Sequence, residues 1–268
     1  MPPSSPPPSL IYSQYASRHI ETTQCVAVHG LTYLLAGSVR VMEAGESHVF
    51  EAGSLLFTRK DFLAKFTKHP AEDGPFRAIT VVFEATALHA ARHLYHEPDG
   101  APQAGRQAIV ALAPNPQLRQ LGESLLPYFE QPLPVGLAQQ KQQEALEALL
   151  AAHPALGGVL FSFVPPGKID LEAFMRQHFR ANVQLPQLAY LTGRSLASFK
   201  RDFQRIFHTS PARWLYQQRL AEAYYLLQEE HQRPSDVYHE VGFESLAHFS
   251  YAFKQWFGRP PSRVYAPG

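Results

Sequence analysis

Between residues 25 and 83 short apolar runs alternate with turn residues: the runs fall at 25–28, 31–35, 39–42, 47–50, 54–57 and 77–83, and Gly30, Gly37, Gly45, Gly53 and Gly74 stand among them. Runs of that length between glycines predict strands, and several in succession predict a small antiparallel barrel or sandwich. From about Pro116 to His153 the period lengthens. Leu118, Leu121 and Leu125 share one helical face, as do Leu146, Leu149 and Leu150 beyond a proline-interrupted stretch at 131–134, so two helices are predicted. Their apolar stripes have two uses open to them, covering the barrel or meeting the same helices of a second subunit. The stretch FSFVPPG at 161–167 then ends this part of the chain in a strand or turn and a break. The first nine residues, MPPSSPPPS, are a tail with no core of its own.

The strongest pattern is a repeat at a spacing of 50 residues. Ser195, Leu196, Ala197, Phe199, Phe203, Phe207, Pro211 and Arg213 recur as Ser245, Leu246, Ala247, Phe249, Phe253, Phe257, Pro261 and Arg263. Phenylalanine at every fourth position lines one stripe of an α-helix, so each copy predicts a helix with an aromatic buried face and an exposed opposite face. A shorter apolar segment and a glycine precede each one, LPQLAYLTG ending at Gly193 and SDVYHEVGF containing Gly242. Short helix, glycine turn and second helix make a helix-turn-helix arrangement, here twice. Pro186 is compatible with a first turn, and Ser235 is the expected N-cap of the short helix in the second copy. Residues 211–228 contain no internal glycine or proline and carry Trp214, Leu215, Leu220 and Leu227 to bury, which predicts one long helix joining the units.

Composition adds a boundary. With 268 residues the chain has room for two ordinary domains, and its net charge of +1 divides unevenly. From Pro166 onward 13 Lys and Arg face 9 Asp and Glu, a balance of +4 against −3 for the rest, which points to a polyanion partner for the C-terminal part. No apolar window reaches membrane-spanning length and the start lacks the regions of a signal peptide, so the expected address is cytoplasmic, with no membrane partner. The single Cys25 is read as a small buried hydrophobe. The expected architecture is α+β: a tail at 1–9, a small antiparallel β-barrel followed by helices at 10–164, and an all-α domain of two helix-turn-helix units at 165–268.

Taking the phenylalanine stripe as buried, a step of about 100° per residue turns Ala197, Arg201, Gln204 and Arg205 outward in the first copy, with Lys200 beside them. In the second copy the outward residues are Ala247, His248, Tyr251 and Lys254. Ser195, Ser198, Ser245 and Leu246 complete the candidate DNA-binding set. Arg and Lys suit guanine O6 and N7, and Gln suits adenine, so Arg201 is assigned to base recognition and Lys200 to a base or phosphate. The second set is less basic, which suits phosphate contacts or a tolerant half-site.

The segment from about 168 to 265 resembles the DNA-binding domain of the AraC/XylS family of transcription regulators. The residues that carry the resemblance are VYHEVGFESLAHFSYAFKQWFGRPPSRVY, with its Gly-Phe pair, aromatic repeat and Pro-Ser ending. Tyr238 and His239 depart from the Ile-Ala frequent at that place in the family. The resemblance implies Ala197, Lys200 and Arg201 at the groove, RNA polymerase as a partner, activation of transcription, and a cupin-like N-terminal domain that senses a small effector or dimerises. The stretch GESHVFEAGSLLF is similar to a cupin hairpin. His48 and Glu51 there lack a His-x-His pair, and His89, His93 and His96 have helix-compatible spacing for Zn²⁺ or Ni²⁺ but would need one shared face and a fourth ligand, a His-rich surface helix being the commoner case, so neither metal nor cofactor is expected. No catalytic motif is present. Two other readings remain: a cupin-type small-molecule binding protein or enzyme with a helical protein-interaction module, and a first domain that serves only as a docking or dimerisation surface for a regulatory protein or a second copy.

Overall fold

The computed structural model describes residues 9–16, 20–43, 46–95, 107–129 and 134–265. The expected tail lies outside them except for Ser9, as does His96. The chain divides into two compact units, Met1–Val164 and Pro165–Gly268.

In the first unit nine strands are present among the described residues: β1 (Leu10–Tyr15), β2 (Ile20–Val26), β3 (His29–Ala36), β4 (Ser38–Glu43), β5 (Glu46–Glu51), β6 (Leu55–Thr58), β7 (Phe62–His69), β8 (Phe76–Phe83) and β9 (Ile109–Leu112). All pairings are antiparallel, in two sheets of order β1-β8-β3-β6-β9 and β2-β7-β4-β5. The expected barrel is therefore not closed among these residues, since each sheet ends on edge strands. The run at 25–28 stops being a strand after Val26, where the chain turns into β3.

Alternation along β8 explains the layering. Phe76 and Ala78 join Val39, Val41, Leu56 and Phe66 in a core between the sheets. Ile79, Val81 and Phe83 on the opposite face pack with Leu31, Leu55 and Phe57 against the helices. Those helices are α1 (Ala85–Ala90), α2 (Pro116–Ser124), α3 (Val135–Ala152) and the short α4 (Gly157–Leu160). Asn115 caps α2 by accepting from the Leu118 N–H at 3.0 Å, and Leu118, Leu121, Leu125, Leu146 and Leu149 all face this core. Between α2 and the five-stranded sheet lies an apolar cavity of about 10 Å³, lined by residues such as Leu31, Leu55, Ile79 and Leu118. That is room for about one water.

The histidine triad does not form on one helix. The backbone leaves α1 at Ala91, His89 stacks on Phe163 with ring centroids 3.7 Å apart, and His93 Nδ1 lies 3.0 Å from the Ala90 carbonyl. His48 and Glu51 are three apart on β5, which sends them to opposite faces, and His48 pairs instead with Glu46 at 3.5 Å. Cys25 is half-buried rather than buried, and burial pushes its thiol pKa up.

One buried polar group carries a pH prediction. His29 is 1% exposed, stacks on Phe57, and accepts the Lys60 N–H at Nδ1 at 3.2 Å. Burial, helped by Lys60 and Arg59, lowers its pKa to about 3. At pH 7 the ring is neutral both folded and unfolded. As pH falls through 6.5 the unfolded chain takes up a proton that the folded chain refuses until about 3, so stability is lost across that window. By pH 5 the loss should reach about 2 kcal/mol. An NMR titration of the imidazole carbons should show His29 still neutral at pH 5; protonation near pH 6.5 in the folded protein would remove the basis of this prediction.

The second unit is helical: α5 (Leu171–His178), α6 (Leu185–Leu191), α7 (Leu196–Phe207), α8 (Pro211–Gln228), α9 (Pro234–Glu240) and α10 (Leu246–Phe257). The first of these was not anticipated from the sequence; Asp170 caps it through the Ala173 N–H at 3.0 Å. The start of α9 also differs from expectation. Its N-cap is Arg233, Pro234 is the first helical residue, and Ser235 sits second, its hydroxyl 3.3 Å from Asp236. Proline supplies a helical φ and lacks the N–H that would need capping, so it sets the start.

Candidate nucleic-acid interface

The two short-to-long helix pairs are built alike. At the end of α6 the Gly193 N–H donates to the Tyr190 carbonyl and the Arg194 N–H to that of Ala189, both at 2.9 Å. At the end of α9 Gly242 donates to His239 at 3.1 Å and Phe243 to Tyr238 at 2.9 Å. This paired closure needs a left-handed residue, and the two glycines have φ of +66° and +90°. The second turn is one residue longer, which places the buried Phe243 between glycine and cap. Ser195 and Ser245 then begin α7 and α10, accepting the Ser198 N–H at 3.2 Å and the His248 N–H at 3.3 Å. Both serine hydroxyls thus have a local structural task.

Aromatic packing orients each long helix. Phe199, Phe203, Phe249 and Phe253 are fully buried. Phe203 and Phe207 meet Trp214 from the first half of α8, with centroids 5.7 and 4.7 Å apart. Phe253 and Phe257 meet Tyr224 from its second half, at 6.2 and 4.9 Å. One helix of 18 residues, about 27 Å long, is therefore the spine for both.

With those faces buried, Ala197, Lys200, Arg201, Gln204 and Arg205 are exposed on α7, while Ser198 is half-buried. On α10 Leu246, Ala247, His248, Tyr251 and Lys254 are exposed. Arg205 lies 3.9 Å from Asp202, and the carboxylate of Asp202 is held below its ordinary pKa chiefly by the hydrogen bond from Arg194, at 3.0 Å. Arg194 also donates to the carbonyls of Ile169 and Thr192, so it braces the turn rather than facing outward. Gln255, exposed on the same face of α10, was missed in the sequence reading; it is the 50-residue counterpart of Arg205 and the repeat could have found it.

Arg219 was missed as well. From α8 its Nε donates to the Phe179 carbonyl at 2.9 Å, Nη2 to Ala181 at 2.7 Å and Nη1 to Gly242 at 2.9 Å. Burial lowers its pKa from the ordinary value, yet an arginine remains charged. This one guanidinium ties the spine to the segment before α6 and to the turn between α9 and α10.

Known proteins resemble the chain over most of its length. A helix-turn-helix domain family matches residues 188–266 and the ExsA N-terminal regulatory domain family matches residues 29–156. The chain belongs to the AraC family of transcriptional regulators. Among its AraC-family relatives, the thermoregulatory protein LcrF of Yersinia pestis is 26% identical over 244 residues, covering 88% of each chain. The HTH-type transcriptional regulator ExsA of Pseudomonas aeruginosa is 25% identical over 236 residues, covering 87% of this chain and 84% of its own. The virulence regulon transcriptional activator VirF of Yersinia enterocolitica is 26% identical over 244 residues, with 88% of each chain covered. As an AraC-family member the chain is a DNA-binding transcription regulator and not an enzyme, and the reading as a cupin-type enzyme with an interaction module is set aside. Among the described residues no helix is long and apolar enough to cross a membrane.

Proposed function

We propose that the chain is an activator whose residues 165–268 bind a bipartite DNA site, with α7 and α10 entering major-groove faces about one turn, or 34 Å, apart. The observation that carries this reading is the shared spine: two helices with equivalent buried stripes lie along α8 and expose their candidate residues. On α7, Arg201 reads guanine, Gln204 reads adenine, and Lys200 contacts a base or phosphate, with Arg205 and Ser198 beside them. Ser195 and Ser245 hold the helix starts, while His248 and Lys254 contact the backbone of the second half-site. Activation is supported by VirF, a relative named as a transcriptional activator, and RNA polymerase is the partner through which the chain would act. DNA as the target implies a cytoplasmic address.

Residues 10–164 form the regulatory domain, the larger part of it matched by the ExsA regulatory family. The family resemblance gives this domain two roles, sensing of a small effector and dimerisation, with a regulatory protein as a further partner.

Selection of duplexes from a random pool by the full chain tests both parts. One bipartite element per selected duplex supports a monomer on DNA, and two supports a dimer. Arg201→Ala should then cost about 1–3 kcal/mol at a single base pair while other positions keep their preferences. A uniform loss on every sequence, the behaviour of a phosphate contact, would refute its assignment to a base.

A further inference from the structure

The outward faces of α7 and α10 differ in a way that charge alone does not describe. At the 50-residue counterpart of Arg201, α10 presents Tyr251, which is 66% exposed. Ala247, also exposed, stands four residues before Tyr251 on the same face, and Leu246, 41% exposed, is the first residue of the helix. The packing needs of α10 are met elsewhere, by Phe249, Ala252 and Phe253, which are 0–1% exposed. Ala247 and Tyr251 therefore present apolar atoms on one exposed face, and Leu246 adds an exposed apolar side chain at the start of the helix, on a helix whose proposed partner is a polyanion. The chief apolar feature that a major groove offers is the 5-methyl group of thymine.

We propose that the α10 half of the DNA site is selected through thymine methyl groups, contacted by Leu246, Ala247 and Tyr251. This rests on the reading that α10 enters a major groove. Arginine is missing from the centre of this face, and Lys254, three residues past Tyr251, is assigned to the DNA backbone, so discrimination there comes from burying methyl groups. Each methyl taken from water corresponds to about a four-fold gain in affinity.

The test uses the full chain and a duplex obtained by selection, its α10 half being the one whose preferences survive Arg201→Ala. Replacing thymines there one at a time by deoxyuridine removes only the methyl. Binding should weaken about four-fold at one or more positions. Tyr251→Phe should keep that thymine-to-uracil ratio, and Tyr251→Ser should bring it toward one at a position; circular dichroism of these exposed-site variants checks folding. Deoxyuridine without effect at every thymine of that half, on a duplex still bound specifically, overturns the proposal alone. Loss of the ratio in Tyr251→Phe does so too, since it would mark a hydroxyl contact. No sequence-specific binding at all overturns the groove reading beneath it.

Discussion

Replacing Arg219 by leucine should destabilise the C-terminal unit by about 3 kcal/mol and weaken DNA binding well before the unit unfolds. The guanidinium supplies charge-assisted hydrogen bonds to the carbonyls of Phe179, Ala181 and Gly242. Leucine removes all three donors, and a carbonyl left buried without a partner costs about 1–3 kcal/mol. Because those carbonyls belong to the segment before α6 and to the α9–α10 turn, their release also loosens the spacing of α7 and α10 on α8. Lysine should rescue little: one ammonium on a flexible stem does not reproduce a fork aimed at three oxygens. Both tryptophans, Trp214 and Trp256, lie in this unit, so fluorescence during urea unfolding reports on it without interference from the other. An unchanged urea midpoint in Arg219→Leu would contradict the account.

Gly193→Ala is expected to be nearly as damaging, costing about 3 kcal/mol or more. Two effects add. The φ of +66° charges any Cβ about 1–2 kcal/mol, and the new atom would lie 2.4 Å from the carbonyl carbon and oxygen of Gly167 and 2.6 Å from the Lys168 nitrogen. Those neighbours are backbone, so no side chain can swing aside. The chain must open the turn between α6 and α7, which carries α7 away from its seat on Trp214. The same fluorescence measurement checks this; as a contrast, Gly258→Ala meets nothing within 4 Å and should cost only the left-handed penalty. Equal losses for the two variants would show that the close approach to Gly167 is unimportant.

Much of the C-terminal unit is legible in the chain because its information is local. The spacing of Phe199, Phe203 and Phe207 and its copy at Phe249, Phe253 and Phe257 defines helices by their own periodicity, and an unbroken 211–228 defines the spine. Helix ends were read less evenly. Gly258 marks the stop of α10, but His208 takes the equivalent left-handed position after α7, with φ of +53°, and nothing in its identity announces it. In the N-terminal unit β7 escaped notice because Leu63 and Ala64, then Phe66 and Thr67, are buried in adjacent pairs, which breaks the two-residue alternation.

By itself, then, the sequence determined the repeat, the aromatic stripes and hence which residues of α7 and α10 face outward, since each follows from contacts between neighbours three or four residues apart. Only the tertiary structure decided the open pair of sheets, the neutral ring of His29 and the three-way clamp of Arg219. Those depend on which distant segments meet: β2 with β7, His29 with Phe57 and Lys60, and Arg219 with carbonyls 23 to 40 residues away. A backbone carbonyl looks the same in every residue, so no pattern of side chains could have named the acceptors that hold that guanidinium.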